Sequence, residues 1–302
     1  MARKKTLPVT PLRQFDFGLV NERIQGLSIN LTRDLERRVK KAKEGADRDG
    51  EKRLFLLLIM ARFAWNSYHT VTFLTSDVED DCPRKPTFVL LVPPINRQLL
   101  DLLFSLAYML DDFPKRSLQY QQAGWRELFE SEQQQKTAFS SNKEWHPHFQ
   151  NLESVRQRLS ELCSLSPEQK QTPSSIPYWK TPLQLKDEKT KCRQFLRYLE
   201  SWLYRDTSAQ AHLSFGGLYP IAMFLLPDLM TDQVDKFMRE RTLQQYRFTH
   251  FSRTAIIFLA IATEIDTYCK LNNVEQINYL WTIFNDYVAE AKEMWDLRYA
   301  QR

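Results

Sequence analysis

The chain has 302 residues, which is enough for one large helical domain or two smaller ones. Its seven glycines are few for turns and hairpins, and helix-forming residues are plentiful, so the composition predicts an all-α fold, a large helical bundle. The 42 basic and 37 acidic residues leave a net charge of +5, which permits a nucleic-acid partner without requiring one.

Targeting and membrane signals are missing from the sequence. Residues 1–5 are basic, but no apolar stretch follows them, so they do not form a secretory signal. The longest dense apolar runs, residues 54–60 and 256–261, are far shorter than the roughly 20 residues that a membrane span needs. The four cysteines are scattered without a C-x-x-C pair, as expected for buried small side chains in a reducing compartment. We therefore expect a cytoplasmic protein with no membrane partner.

The first elements follow from apolar residues at helical spacing. This spacing predicts helices over about residues 15–46 and 52–74, and Pro83 and Pro86 prevent the second helix from continuing. Residues 87–92 form an apolar run with β-branched members that fits a buried strand or a helix equally well. Both alternatives stay open for this run.

The middle of the chain changes from regular to irregular. Pro93 and Pro94 suit the first turn of a helix, and another helix is predicted over about residues 117–138. Between residues 139 and 187, frequent prolines predict an irregular excursion with one short helix at about residues 152–165. This excursion is the best candidate for a lid or a domain join.

Helical periodicity resumes at about residue 188 and leads to His212, with Gly216 and Gly217 as a C-terminal stop. Further helices are predicted over about residues 218–229, 231–271, with a break near His250 as an alternative, and 274–298. We interpret residues 1–302 as a single all-α domain. The alternative is a division into an N-terminal helical part, an irregular proline-rich segment and a C-terminal helical part, at residues 1–138, 139–187 and 188–302.

Most candidate sites have an ordinary explanation. The common phosphate-loop, dinucleotide, zinc-protease and serine-hydrolase motifs are absent, so we predict no cofactor and no metal. His146 and His148 lack a third ligand at recognisable spacing, which favours an exposed polar loop. Arg97 and Asp101 lie four residues apart on one predicted helix, which favours an internal ion pair over a phosphate or carboxylate site.

Two residues near the end of the helix that is predicted to begin at about residue 188 differ from these candidate sites, because their spacing matches a known motif. Arg205 and His212 are seven positions apart, so at about 100° per residue they return to nearly the same helix face. The segment resembles the R-x(4–6)-H signature of the HEPN superfamily, in which a polar residue follows the arginine, here Asp206. More loosely, the stretch from Arg97 to His212 resembles an uncharacterised bacterial all-helical family.

The resemblance implies a metal-independent, dimeric ribonuclease of the kind used in bacterial defence or toxin-like growth control. In that family pattern His212 acts as base on a ribose 2′-hydroxyl or as acid on the leaving oxygen, and Arg205 binds the scissile phosphate. Asp206 orients the pair, and Ser208, one turn beyond Arg205, donates to a phosphate oxygen. RNA and a second copy of the chain are the partners that it implies.

A different class of function uses the same residues. A histidine in the last turn of a helix interacts favourably with the helix dipole, and an arginine two turns earlier can pair with a carboxylate. The alternative is therefore a non-catalytic helical module for dimerisation or for binding a nucleotide or protein. A nuclease needs His212 exposed in a cleft, whereas a scaffold can bury it.

Overall fold

The computed structural model describes residues 15–76, 85–180, 192–211 and 236–300. Within these ranges the fold is all-α, as the composition predicts, and contains no β-strand. The long helices bury apolar side chains, and with no sheet in the described ranges helix-on-helix packing is the way to bury them.

Two long helices begin the described chain, α1 (Phe17–Glu44) and α2 (Arg48–Thr75). Each begins at an aspartate, Asp16 or Asp47, whose carboxylate accepts the backbone N–H three residues later at 2.9 Å. These caps explain why α2 starts earlier than its apolar periodicity predicts. α1 buries one apolar stripe, formed by Val20, Ile24, Leu27, Leu31 and Leu35.

The ambiguous run at residues 87–92 is helical. A 3₁₀ helix, Lys85–Leu91, leads directly into α3 (Val92–Leu110), which has prolines in its first turn. The strand alternative is therefore wrong. The stretch Phe88–Leu110 is long and apolar enough to cross a membrane, with a mean hydropathy of 1.3, and 56% of its most apolar 18-residue window is buried in the fold. The core helix of a water-soluble protein has the same properties.

The proline-rich region is more helical than the sequence predicts. After α4 (Phe113–Phe139) and a 3₁₀ turn, α5 (His146–Leu162) begins several residues before its predicted start. Pro147 lies in the first turn of α5, where its missing N–H costs nothing. The expected exposed loop at His146 and His148 is thus a helix N-terminus. A short helix, α6 (Pro167–Gln171), and a 3₁₀ turn follow.

The C-terminal helices match the prediction except at their breaks. One helical segment consists of α7 (Arg193–Leu199), a π-helical turn (Glu200–Tyr204) and α8 (Arg205–Ala211). The remaining helices are α9 (Lys236–Cys269), α10 (Val274–Tyr287) and α11 (Ala289–Arg298). α9 continues through His250, so the alternative of a break there is wrong, and the observed break is at Val288 instead. The predicted glycine stop at residues 216–217 and the helix at 218–229 lie outside the described residues.

The centre of α9 is the core of the fold. Every residue from Thr254 to Asp266 is buried, so this stretch of α9 is shielded from solvent on all sides of the helix. α9 packs against α2, α3 and α10, and α8 packs against α3. The candidate site therefore lies where α3, α8 and α9 meet.

Candidate functional site

A π-helical turn introduces the segment that carries Arg205. Leu199, Leu203 and Thr207 are buried along one side of this segment, whereas Arg205 and Asp206 are exposed. The Thr207 hydroxyl donates to the Leu203 carbonyl at 2.8 Å, next to the turn where the usual helical bonding changes. π-Helical turns occur frequently at functional sites, because the extra residue changes which side chains share a face.

Arg205 is an available cation. Its side chain is exposed and makes no hydrogen bond or ion pair with the described part of the chain. His212 directly follows Ala211, the last residue of α8, and lies outside the described residues. The sequence places both residues on one helical segment, and the structure describes only the Arg205 end of it.

Asp206 connects α8 to α9. Its carboxylate forms an ion pair with Arg253 and lies 3.5 Å from the Gln210 side-chain amide. The Tyr246 hydroxyl in turn donates to Gln210 Oε1 at 3.0 Å. The sequence predicts that Asp206 orients Arg205 and His212, whereas the structure shows its carboxylate paired with an arginine of another helix.

Ser208 connects α8 to α3. Its hydroxyl oxygen accepts a hydrogen bond from Arg97 Nε at 2.8 Å. The Arg97 guanidinium also bonds to the Tyr204 hydroxyl and stacks on the ring, with its central carbon 3.5 Å from the ring centroid. Burial raises the pKa of Tyr204, an effect that the Arg97 charge partly offsets. Ser208 therefore keeps its own O–H proton for a further acceptor.

The ion pair between Arg97 and Asp101 is present, as the four-residue spacing predicts. Two of the three arginines at α8 consequently have a carboxylate partner, because Arg253 pairs with Asp206. Arg205 is left as the cation with no counter-charge among the described residues. Of these five charged side chains, the charge of Arg205 is therefore the one that no partner offsets, which suits an anionic ligand.

A buried histidine lies behind this surface. His250 is 1% exposed, its ring centroid lies 4.1 Å from that of Tyr246, and its Nδ1 has no hydrogen-bond partner among the described residues. Burial lowers the pKa of His250 to about 3, and the Arg253 charge adds to the effect. His250 is therefore neutral over the physiological range. Thr254 Oγ1 lies 2.8 Å from the His250 backbone carbonyl oxygen and 2.6 Å from Asn96 Oδ1, and its single hydroxyl proton is shared between these two acceptors.

Charged and titratable side chains of α4 and α5 are bonded within the fold. Arg126 pairs with Glu130, lies 3.7 Å from the centroid of the Tyr178 ring and donates to the Ile176 carbonyl. It thereby fixes the chain after α6 onto α4. His148 Nε2 lies 2.9 Å from the Gln135 side-chain oxygen. The described residues contain no group of three or more His, Cys, Asp or Glu side chains that could hold a metal ion.

Sequence reasoning missed the partners of the α8 side chains. Arg253, Gln210 and Tyr246 have no motif or spacing that separates them from other surface residues of a long helix. His250 stands out in the sequence only as a polar residue in an apolar helix. Comparison with known proteins adds no further residue, since the chain matches no protein-family model, no curated protein and no solved structure.

Proposed function

We propose that the chain is a metal-independent endoribonuclease of HEPN type, acting in the cytoplasm in bacterial defence or toxin-like growth control. The proposal starts from the spacing of Arg205 and His212 in the sequence. One structural observation supports it most: Arg205 is exposed and has no partner in the described part of the chain, while the other arginines at α8 are neutralised.

The proposed reaction is transesterification of an RNA phosphodiester. The ribose 2′-oxygen attacks the adjacent phosphorus and the P–O5′ bond breaks, which leaves a 2′,3′-cyclic phosphate and a free 5′-hydroxyl. His212 takes the 2′-hydroxyl proton or gives a proton to the leaving oxygen, because imidazole titrates near neutral pH. Arg205 binds the phosphate with two N–H groups and neutralises its growing charge.

The remaining predicted site residues have supporting roles in this proposal. Asp206 holds α8 against Arg253, so it fixes the direction in which Arg205 points. The Ser208 oxygen accepts from Arg97, and its hydroxyl proton is available to a phosphate oxygen one turn from Arg205. Two copies of such a sparse site in a homodimer would supply a larger set of phosphate contacts.

Cleavage of labelled RNA in EDTA tests the proposal. We expect the wild type to form 2′,3′-cyclic phosphate ends, His212→Ala to lose about 10²-fold or more of the rate, and Arg205→Lys to be severely impaired, because a point charge does not reproduce the guanidinium fork. Arg197→Lys is the matched control, since Arg197 is also exposed on this helical segment but precedes the π-helical turn. If diverse RNAs stay intact with and without divalent metal, the proposal is wrong.

A second function has its own supporting observation. Asp206 and Ser208 already bond to arginines of α9 and α3, so half of the predicted site side chains hold helices together. This favours a non-catalytic helical module that uses the exposed Arg205 to bind a nucleotide, a protein or a second copy. Such a module retains RNA or nucleotide binding through Arg205 in a filter-binding assay but produces no cleavage, and His212→Ala then lowers only the melting temperature.

A further inference from the structure

A cavity of about 510 Å³ lies between α2, α4 and α5 and includes no residue of α8. Its volume falls within the roughly 300–1,000 Å³ that small-molecule sites occupy. The lining is mainly apolar and aromatic, and includes Phe55, Ile59, Tyr120, Trp125, Leu159 and Trp179. Such a lining complements an organic molecule and not a phosphate or a metal ion.

The mouth of the cavity carries apolar side chains that water reaches. Phe55 and Ile59, one turn apart on α2, are 42% and 48% exposed, and Leu162 at the end of α5 is 40% exposed. Apolar side chains that are exposed as a group are unfavourable in free energy in water, and such groups are typical of binding surfaces. A ligand in the cavity would cover these side chains.

The walls are fixed by bonds that leave the aromatic faces free. Trp179 Nε1 donates to Ser105 Oγ at 3.2 Å, and Trp125 Nε1 donates to the Arg156 carbonyl at 3.0 Å. Both indole N–H groups are thus satisfied within the protein, so the cavity needs no rearrangement to accept an apolar group. Gly124 opens the α4 wall, because a Cβ added there would meet no atom within 4 Å.

Lys52 supplies a fixed cation in the lining. Its ammonium donates to the Glu161 carbonyl at 3.0 Å and to Ser164 Oγ at 2.8 Å, at the C-terminal end of α5. These acceptors are neutral and use two of its three N–H groups. Lys52 forms no ion pair with any carboxylate in the described ranges.

One carboxylate in the lining opposes this charge only weakly. Glu127 is exposed, so water screens its repulsion of an anion, whereas Lys52 is half-buried and held by two bonds. Cys163 also lines the cavity, but burial raises its pKa to about 11 and its thiol donates to the Gln121 carbonyl at 3.3 Å. The cavity therefore suits binding and not covalent chemistry.

We propose that this cavity binds a small amphipathic monocarboxylate. The apolar part of the ligand lies against Tyr120 and Trp179, and its carboxylate accepts the third N–H of Lys52. This site is independent of the ribonuclease proposal, because it shares no residue with α8. The occupant is a small molecule, since the volume, the fixed walls and the single unpaired cation together match an acid with an apolar chain or ring.

Calorimetric titration of the full chain with octanoate and with octan-1-ol tests the proposal. We expect octanoate to bind the wild type, and Lys52→Met to weaken octanoate at least about tenfold while changing octan-1-ol by less than about twofold, because only the acid loses a charge-assisted hydrogen bond. Glu127→Gln should leave octanoate binding equal or slightly tighter. Melting curves establish that each variant is folded.

A pair of variants at one position tests the cavity itself. Gly124→Phe directs a ring into the open space and should abolish binding of both ligands, whereas Gly124→Ala should preserve both within about twofold and improve helix stability. The proposal is overturned if neither ligand binds the wild type, or if Lys52→Met weakens acid and alcohol equally. It is also overturned if Gly124→Phe dissociates a dimer, since the cavity would then be a protein interface.

Discussion

Arg97, which contacts α8 from α3, and Arg205, which belongs to α8, have opposite surroundings. Arg97 is held by Ser208 and Tyr204 and has Asp101 as its counter-charge. Arg205, on α8 itself, is exposed and without a partner among the described residues. An arginine that is bonded on several sides serves the fold, and one that is bonded on none is available to a ligand.

This difference predicts unequal effects on stability. Arg97 is only 16% exposed, so Arg97→Ala leaves three polar groups without their donor and should lower the free energy of unfolding by about 1–3 kcal/mol. Arg205→Ala should change it by less than about 0.5 kcal/mol, because the side chain is exposed and has no partner in the described part of the chain. Urea denaturation of both variants measures the two values. Equal losses would mean that Arg205 is as structural as Arg97.

His250 predicts a loss of stability in mild acid. Its pKa is lowered to about 3 in the folded chain, against an ordinary value of about 6.5 in the unfolded chain. Below pH 6.5 the unfolded state therefore binds more protons, and stability falls as pH falls from about 6.5 towards 3, by at most about 1.4 kcal/mol per pH unit. The aromatic ring of His250→Phe keeps the contact with Tyr246 but cannot titrate.

Urea denaturation of the wild type and of His250→Phe between pH 7 and pH 4 checks this expectation. The free energy of unfolding of His250→Phe minus that of the wild type should increase as pH falls. Carboxylates contribute to the acid dependence of both proteins and cancel in the difference. A difference that is constant with pH would show that His250 does not control the acid response.

The residues that contact the α8 side chains could not be predicted from the sequence. Local spacing brings Arg205, Asp206 and Ser208 onto one helix, because helix geometry fixes positions within two turns. The contact between Asp206 and Arg253 joins residues 47 positions apart, and that between Ser208 and Arg97 joins residues 111 positions apart. Packing of whole helices decides such contacts, so no local pattern encodes them.

The π-helical turn at Glu200–Tyr204 sets the orientation of α8 relative to α7. One extra residue per turn rotates everything after it by about 100° relative to a continuous α-helix. Here the rotation allows Leu199 on one side of the turn and Thr207 on the other to be buried together. Arg205 and Asp206 are directed outward as a consequence.

Addition of one residue to this turn should therefore disrupt the site, whereas the turn already holds the one extra residue that brings the two buried sides together. Ser201 is exposed, and among the described residues its hydroxyl bonds to the Tyr198 carbonyl, at 2.8 Å, so its side chain contributes little to the fold. We expect insertion of one alanine after Ser201 to lower the melting temperature and to abolish any RNA cleavage, because a further rotation of about 100° leaves α7 and α8 unable to bury their apolar sides together. Ser201→Ala is the control and should behave as the wild type. If the insertion variant melts like the wild type, the turn has no role in orientation.

The positions of most helices can be predicted from the sequence. The π-helical turn and the ends of some helices, such as the start of α5, cannot. α1 and α3 follow from apolar periodicity and from prolines in the first turn. The start of α5 was missed because Pro147, which interrupts a helix elsewhere, is tolerated in the first turn. The π-helical turn has no local composition signal, since burial on both sides of it is what stabilises it.

One apolar core includes residues from both the N-terminal and the C-terminal helices. The same cluster of buried side chains contains Leu27 of α1, Leu103 of α3, Ile257 of α9 and Trp281 of α10. The stretch of α9 from Thr254 to Asp266 is buried on all sides, and α9 packs against α2 and α3. A fragment without the N-terminal helices leaves that surface exposed to water.

We therefore expect residues 188–302 to be unable to fold alone. The fragment should be aggregated or should show the far-ultraviolet signal of helix without a cooperative thermal transition, because burial against α2 and α3 is missing. Circular dichroism melting and gel filtration of the fragment, next to the full chain, measure this. A monomeric fragment with a sharp transition would favour the division of the chain at residues 139–187.

The oligomeric state connects the molecule to its proposed chemistry. A single Arg205 and His212 pair offers few contacts to a polyanion, and RNA cleavage of HEPN type needs a second subunit to complete the cleft. We expect a homodimer in light scattering across a concentration series, and we expect Arg205→Ala and His212→Ala to remain dimeric while losing cleavage, because neither change removes apolar surface. A strict monomer at tens of micromolar would count against the ribonuclease while leaving the helical fold unaffected. A dimer that binds RNA without cutting it would instead support the interaction module, since Arg205 would then serve binding alone.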